Sequence, residues 1–230
     1  MMLRKVIVPA LILTAAALTL AACRQKPPVP GPADPSAEEY SVAVKASEDL
    51  KTALHEMQEL ADPTGVVRPV LGEEGIRTAL ADQANKLIEL RGSVTGEISV
   101  DEGDYSDWDL ILDAAGASVV CNADLGRVTL NALNEDGFTL NGSAETLYVR
   151  GADLNVTLNG SVEKLYVCAA NAHVTLTAGD FPVIYTDNTT AVIANRTEAP
   201  VTLILPLGTT MEIPAGKVYS IDKGRLTNAK

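Results

Sequence analysis

Phe138-Thr139-Leu140-Asn141-Gly142-Ser143 returns 18 residues later as Val156-Thr157-Leu158-Asn159-Gly160-Ser161, and Leu147-Tyr148-Val149 returns as Leu165-Tyr166-Val167. Thr157-Leu158 recurs at the same interval as Thr175-Leu176. Self-similarity at a fixed period marks stacked structural units. Within each repeat, two short runs alternate apolar and polar residues, the period-2 pattern of a strand with one face inward. A repeat of 18 residues holding two strands predicts a parallel β-solenoid, each strand lying over its equivalent one coil earlier. Glycine and asparagine between the runs suit corners, where the chain turns through positive φ.

The strand pattern extends both ways from this centre. Its inward pairs are Ile98/Val100, Leu110/Leu112, Val119/Cys121, Val128/Leu130, Phe138/Leu140, Leu147/Val149, Val156/Leu158, Leu165/Val167, Val174/Leu176, Val183/Tyr185, Val201/Leu203 and Met211/Ile213. From Phe138 onward they start every nine residues, with Val192 keeping the register. An antiparallel sandwich and a three-strand coil of about 27 residues are the competing architectures. Hairpins do not require alternate strands to resemble each other, whereas stacking does. The solenoid is expected over residues 92–222, with a short tail at 223–230.

Two stretches carry resemblances. Leu90-Arg91-Gly92-Ser93-Val94-Thr95-Gly96-Glu97-Ile98-Ser99-Val100, followed by Asp109-Leu110-Ile111-Leu112-Asp113, resembles the opening coil of pectate-lyase-like right-handed β-helices of bacterial surface proteins. Residues 144–179 are similar to an adhesin head-domain family, whose repeats alternate a Leu-x-Val strand, a Gly/Asp-rich corner and a Val-Thr-Leu strand. Both resemblances imply a β-helix and no particular activity.

Upstream, the apolar spacing becomes helical. Ala43, Ala46, Leu50, Leu54, Met57 and Leu60 form one stripe ending at Asp62-Pro63. Ile76, Leu80, Ala84, Leu87 and Leu90 (or Ile88) form a second stripe over 73–91, with Gly92 at the C′ position. These predict a helical pair over 42–91 that caps the solenoid. Before it, residues 24–39 hold five prolines and almost nothing to bury. Such a segment is a semi-rigid tether at about 3.1 Å per residue.

At the N-terminus Arg4 and Lys5 precede an apolar run ending in Leu20-Ala21-Ala22-Cys23. That is a charged n-region, an h-region and a small-residue cleavage site. The last four residues resemble the lipobox of bacterial lipoproteins. The resemblance implies a signal peptide at 1–22, cleavage before Cys23, a diacylglycerol on its thiol, and a lipidated tether over 23–41. Such a lipidated terminus carries two or more acyl chains, enough for stable anchoring in a bilayer. Removing 1–22 leaves 16 basic and 30 acidic residues. That balance argues against nucleic acid, whose binding depends on neutralising phosphates, and leaves the lipid to anchor the chain without a polybasic patch.

Outward positions are the candidates for recognition. Tyr148 and Tyr166 should stack on one sheet, and Thr139, Thr157 and Thr175 on the other, together an interaction face. The run Asp101 to Asp109 places Asp101, Asp104, Asp107 and Asp109 in an acidic loop with oxygen ligands suited to Ca²⁺, although its spacing is not that of an EF-hand. Glu145 and Glu163, 18 residues apart, should also stack, at a separation compatible with retaining glycoside hydrolysis. Copies of one repeat position read more simply as scaffold. His173 sits where Asn155 does one coil earlier, and no Ser/His/Asp arrangement accompanies it. Cys121 is expected buried and unpaired with Cys168. No cofactor and no catalytic residue is expected. The sequence thus reads as an outward-facing, membrane-anchored lipoprotein of the cell envelope that is not an enzyme and meets an unidentified protein or polysaccharide partner. The alternative is a β-helix that binds or cleaves carbohydrate.

Overall fold

The computed structural model describes residues 68–82, 86–187, 190–205, 209–222 and 225–229, all within the unit Ala37–Lys230. Two sheets face each other. The first, sheet A, has nine strands in the order β1 (Arg68–Val70), β2 (Leu87–Arg91), β4 (Asp104–Asp113), β6 (Asp124–Ala132), β8 (Ala144–Val149), β10 (Val162–Val167), β12 (Val183–Thr186), β14 (Val201–Ile204) and β15 (Thr210–Ile213). Sheet B has eight, in the order β3 (Thr95–Val100), β5 (Gly116–Cys121), β7 (Phe138–Leu140), β9 (Asn155–Leu158), β11 (Ala172–Leu176), β13 (Thr190–Asn195), β16 (Val218–Asp222) and β17 (Arg225–Asn228). From β2 to β14 successive strands alternate between the sheets, and from β4 each pairs in parallel with the strand two earlier, while β1 pairs directly with β2. This is a parallel β-solenoid of about 7 turns and about 19 residues per turn.

The repeat read from the sequence is the central part of it. Leu147 lies beside Leu165, and Val156 beside Val174, at an offset of 18. Elsewhere a residue is added: Val128 pairs with Leu147, Leu165 with Ile184 and Val174 with Ile193, at 19. The extra residue before β12 shifts its alternation. Ile184 is the buried inward residue, not Val183, and Tyr185 turns outward. In β13, Ala191 and Ile193 face the core while Val192 is only half-buried. Met211 is exposed and Ile213 buried.

Corners are held by ladders of side chains and by tight backbone approach. Asn141 Nδ2 donates to Asn122 Oδ1 (2.7 Å), and Asn159 Nδ2 to Asn141 Oδ1 (2.8 Å). At another corner Asp153 and Asn171 both adopt left-handed φ (59° and 57°), and Asn171 Nδ2 donates to Asp153 Oδ1. A Cβ at Gly160 would lie 1.6 Å from the carbonyl oxygen of Gly142 in the coil below. Glycine is required there by proximity.

Both ends depart from the expectation. Among the described residues there is one helix, α1 (Gly72–Ala81), which buries Ile76, Ala79 and Leu80 and packs on β1, β2 and β3 as a cap. The helix expected over 73–91 stops at Ala81, and its last five residues are β2. Leu87-Ile88-Glu89-Leu90-Arg91 satisfies the alternating period as well as the helical one. The parallel ladder with β4 decides between them. Strands therefore begin at Arg68, before the expected 92. The stripe expected over 42–61 lies outside the described residues, as do the signal peptide and the tether. At the far end β15, β16 and β17 run antiparallel and close the solenoid, so the expected tail at 223–230 contains a strand. Buried Asn195 ties this end together, donating to the carbonyls of Ala199 (2.8 Å) and Ile213 (3.0 Å).

Candidate interaction faces

Side chains pointing away from the core form columns along the solenoid axis. On sheet A the registers align Glu89, Ile111, Thr129, Tyr148, Tyr166, Tyr185 and Ile204 in one column. Tyr148 and Tyr166 stack with ring centroids 5.1 Å apart and planes 16° from parallel. Tyr185 extends the stack at 4.7 Å. The expected aromatic ladder forms, with a third member. It is nevertheless not a free face, because every residue in the column is at most 7 % exposed. Tyr148, Tyr166, Tyr185 and Ile204 make a hydrophobic cluster separate from the solenoid core, with Cys168 and Val183 against it. Tyr185 was missed in the sequence because its offset from Tyr166 is 19 rather than 18.

Sheet B carries the open face. Ser99, Val120, Thr139, Thr157, Thr175 and Ala194 align in register across β3 to β13, and all are partly exposed. These side chains are small or β-branched, and Val120 and Thr139 also line an open groove of about 440 Å³ with Glu97, Asn134 and Asp136. The three threonines expected there occupy the middle of the row.

The acidic run does not converge. Residues 104–109 belong to strand β4 rather than a loop, and Trp108 is buried in the core with Tyr105 edge-on at 5.8 Å. Each proposed Ca²⁺ ligand has its own engagement: Asp101 with Arg77 (3.2 Å), Asp104 with the Ser106 amide (3.2 Å), Asp107 with Lys86, and Asp109 with Arg127 through two contacts. No group of three or more His, Cys, Asp or Glu gathers as a metal site among the described residues.

A third surface lies at the corner leading into sheet A. Ser106, Ser143, Glu145, Ser161, Glu163 and Asp180 line an open groove of about 520 Å³. Ser143 donates to Asp124 through its amide and hydroxyl (2.8 and 2.7 Å), and Ser161 Oγ accepts from the Asp180 amide (3.0 Å), so part of this polarity holds the corners. Glu145 and Glu163 occupy equivalent positions on adjacent parallel strands, as the repeat implies. Both are exposed, without the apolar enclosure that a general acid draws on.

The two thiols are separate. Cys121 is buried, Cys168 half-buried, and both are free. Burial pushes Cys121 up to about 11, and burial with the nearby Asp187 charge pushes Cys168 up to about 12. Neither has the thiolate character of a reactive cysteine. Cys23 lies outside the described residues, and no helix among them is long and apolar enough to cross a membrane.

Compared with known protein families, curated proteins and solved structures, the chain matches none.

Proposed function

We propose that this protein is a lipid-anchored, outward-facing component of a bacterial cell envelope that is not an enzyme, and that it offers a face of its β-solenoid to a protein or polysaccharide partner. The Leu20-Ala21-Ala22-Cys23 motif at the end of the apolar leader carries the reading. The proline-rich stretch behind it supports a spacer between bilayer and folded part. With the sheet A column buried, the interaction face moves to sheet B, where the row through Thr139, Thr157 and Thr175 is partly exposed. Rows of short side chains meet an extended partner at little cost in side-chain entropy.

Replacing Cys23 with Ala should abolish incorporation of labelled fatty acid and release the chain from the membrane fraction. Labelled Cys23→Ala protein would contradict the anchor.

The second reading, a carbohydrate-binding or carbohydrate-cleaving β-helix, is favoured by the corner groove with Glu145, Glu163 and Asp180. A glycan array on the detergent-solubilised chain, with and without Ca²⁺, separates the two. Glycan binding lost on Glu145→Gln with Glu163→Gln would favour the groove. Binding lost instead when Thr157 and Thr175 become Lys would favour sheet B.

A further inference from the structure

The two sheets end in four edge strands, β1 and β15 in sheet A and β3 and β17 in sheet B. An edge presents a row of unpaired N–H and C=O groups, and it templates pairing with another chain unless something blunts it. Three of the four are blunted. β1 has three residues, and Pro69 at its centre brings no N–H. β3 lies against helix α1, whose Glu73 carboxylate accepts a hydrogen bond from the Ser99 amide (3.4 Å). β15 runs straight into Pro214, which has no N–H and whose carbonyl already accepts from the Lys217 amide (3.2 Å).

β17 has no such device. It pairs with β16 in a register that sets Ser220 opposite Thr227 and Asp222 opposite Arg225, and the Ala229 amide donates to the Val218 carbonyl (2.9 Å). Opposed residues of an antiparallel pair alternate between bonded and non-bonded. Arg225 and Thr227, in step with Ala229, therefore turn their N–H and C=O toward β16. Leu226 and Asn228 turn theirs away from it. No strand among the described residues pairs on that side, and Arg225, Thr227 and Asn228 are exposed. Sheet B adds two strands beyond β13 and sheet A one beyond β14, so β17 also projects one strand beyond its facing sheet.

We propose that this edge pairs with the same edge of a second copy, antiparallel and about a two-fold axis at Thr227, joining two solenoids end to end through one continuous sheet B. The edge is complementary to itself. With Thr227 opposite Thr227 of the second copy, Leu226 stands opposite Asn228, and their outward N–H and C=O groups meet on both sides of the axis. Opposed threonines are a favourable cross-strand pair. Arg225 falls opposite Ala229 rather than opposite another charge. A head-to-tail arrangement would grow into a filament, but it needs β1 or β3 as the receiving edge, and both are blunted. The two-fold pairing closes on itself. It rests on the described strands and not on the lipid anchor or on either partner reading.

The test uses the full chain purified in detergent. Light scattering, corrected for bound detergent, should give the mass of two copies. Asn228→Pro removes an outward N–H and leaves the ladder with β16 intact, so it should give the mass of one copy with unchanged β-sheet circular dichroism. Glu212→Pro, on β15, should remain a dimer. A monomeric unmodified chain, a folded Asn228→Pro that stays dimeric, or a dimer lost only on Glu212→Pro would each overturn the proposal. Should Asn228→Pro fail to fold, mild oxidation of single cysteines decides. In Thr227→Cys the paired Cα atoms lie about 4.5 Å apart, within disulfide reach, and a disulfide-linked dimer should form above the background of the unmodified chain. In Arg225→Cys the two positions lie about 14 Å apart along the strands, and the yield should be at least about ten-fold lower. Equal yields, or none from Thr227→Cys, would overturn the two-fold pairing.

Discussion

Thr186 places a hydroxyl in an otherwise aliphatic column. It lies beside Val167, which continues through Val149 to Leu130, is fully buried, and gives its Oγ1 no hydrogen-bond partner. An unsatisfied buried hydroxyl costs roughly 1–3 kcal/mol, and valine has nearly its shape. Thr186→Val is therefore expected to raise stability by about 1 kcal/mol in thermal or urea unfolding. A loss of similar size would reveal a partner for the hydroxyl. The thiols give a pH dependence. Their folded values, about 11 and about 12, lie above the ordinary 9.0. Proton linkage then makes their contribution fully present below pH 9 and progressively lost as pH rises toward 11 to 12. The urea midpoint should fall above pH 9, and less steeply in Cys121→Val. Identical profiles for the two chains would contradict the burial of this thiol. At this scale the inward residues of the central coils were legible, because alternation and repetition agree there. Exposure of the tyrosines was not. Sequence shows which face a side chain takes, but not how exposed it is there.

Elements show where two periods compete. Residues 73–91 carry apolar positions compatible with both helix and strand from Leu87 onward, and local pattern could not register the waiting partner strand β4. Similarly, one inserted residue before β12 moves Tyr185 from the inward to the outward row. A nine-residue count that continues through the insertion assigns the wrong face, since a one-residue slip exchanges the two. Five carboxylates in nine residues oppose strand propensity, so the acidic run points to a loop when taken alone. Its ion pairs with Arg127 and Lys86 and the buried Trp108 allow the strand. In β9 the register has a direct consequence for stability. Leu158 is fully buried and Thr157 only partly. Leu158→Ala should cost about 2–5 kcal/mol, and Thr157→Ala under about 1, by chemical denaturation. Comparable losses at the two sites would mean that the strand presents its other face.

Across the whole molecule, stacking gives each coil its stability from its neighbours, so both terminal coils need closure. Helix α1 closes one end, and the antiparallel strands β15 to β17 close the other by turning back on the last coils. Neither device repeats, which is why the repeat pattern revealed the middle of the solenoid and not its ends. The same architecture separates three surfaces: a buried aromatic column, a partly exposed row of short side chains and a polar corner groove. All depend on equivalent residues lying over one another in parallel strands. Nuclear Overhauser contacts between Tyr148 and Tyr166 in the isotope-labelled chain test this most directly. The account predicts ring and backbone contacts from Tyr148 to Tyr166 and from Tyr166 to Tyr185, with none from Tyr148 to Tyr185. Absence of the Tyr148–Tyr166 contact would contradict the parallel solenoid, because a sandwich or a three-strand coil holds those two residues apart.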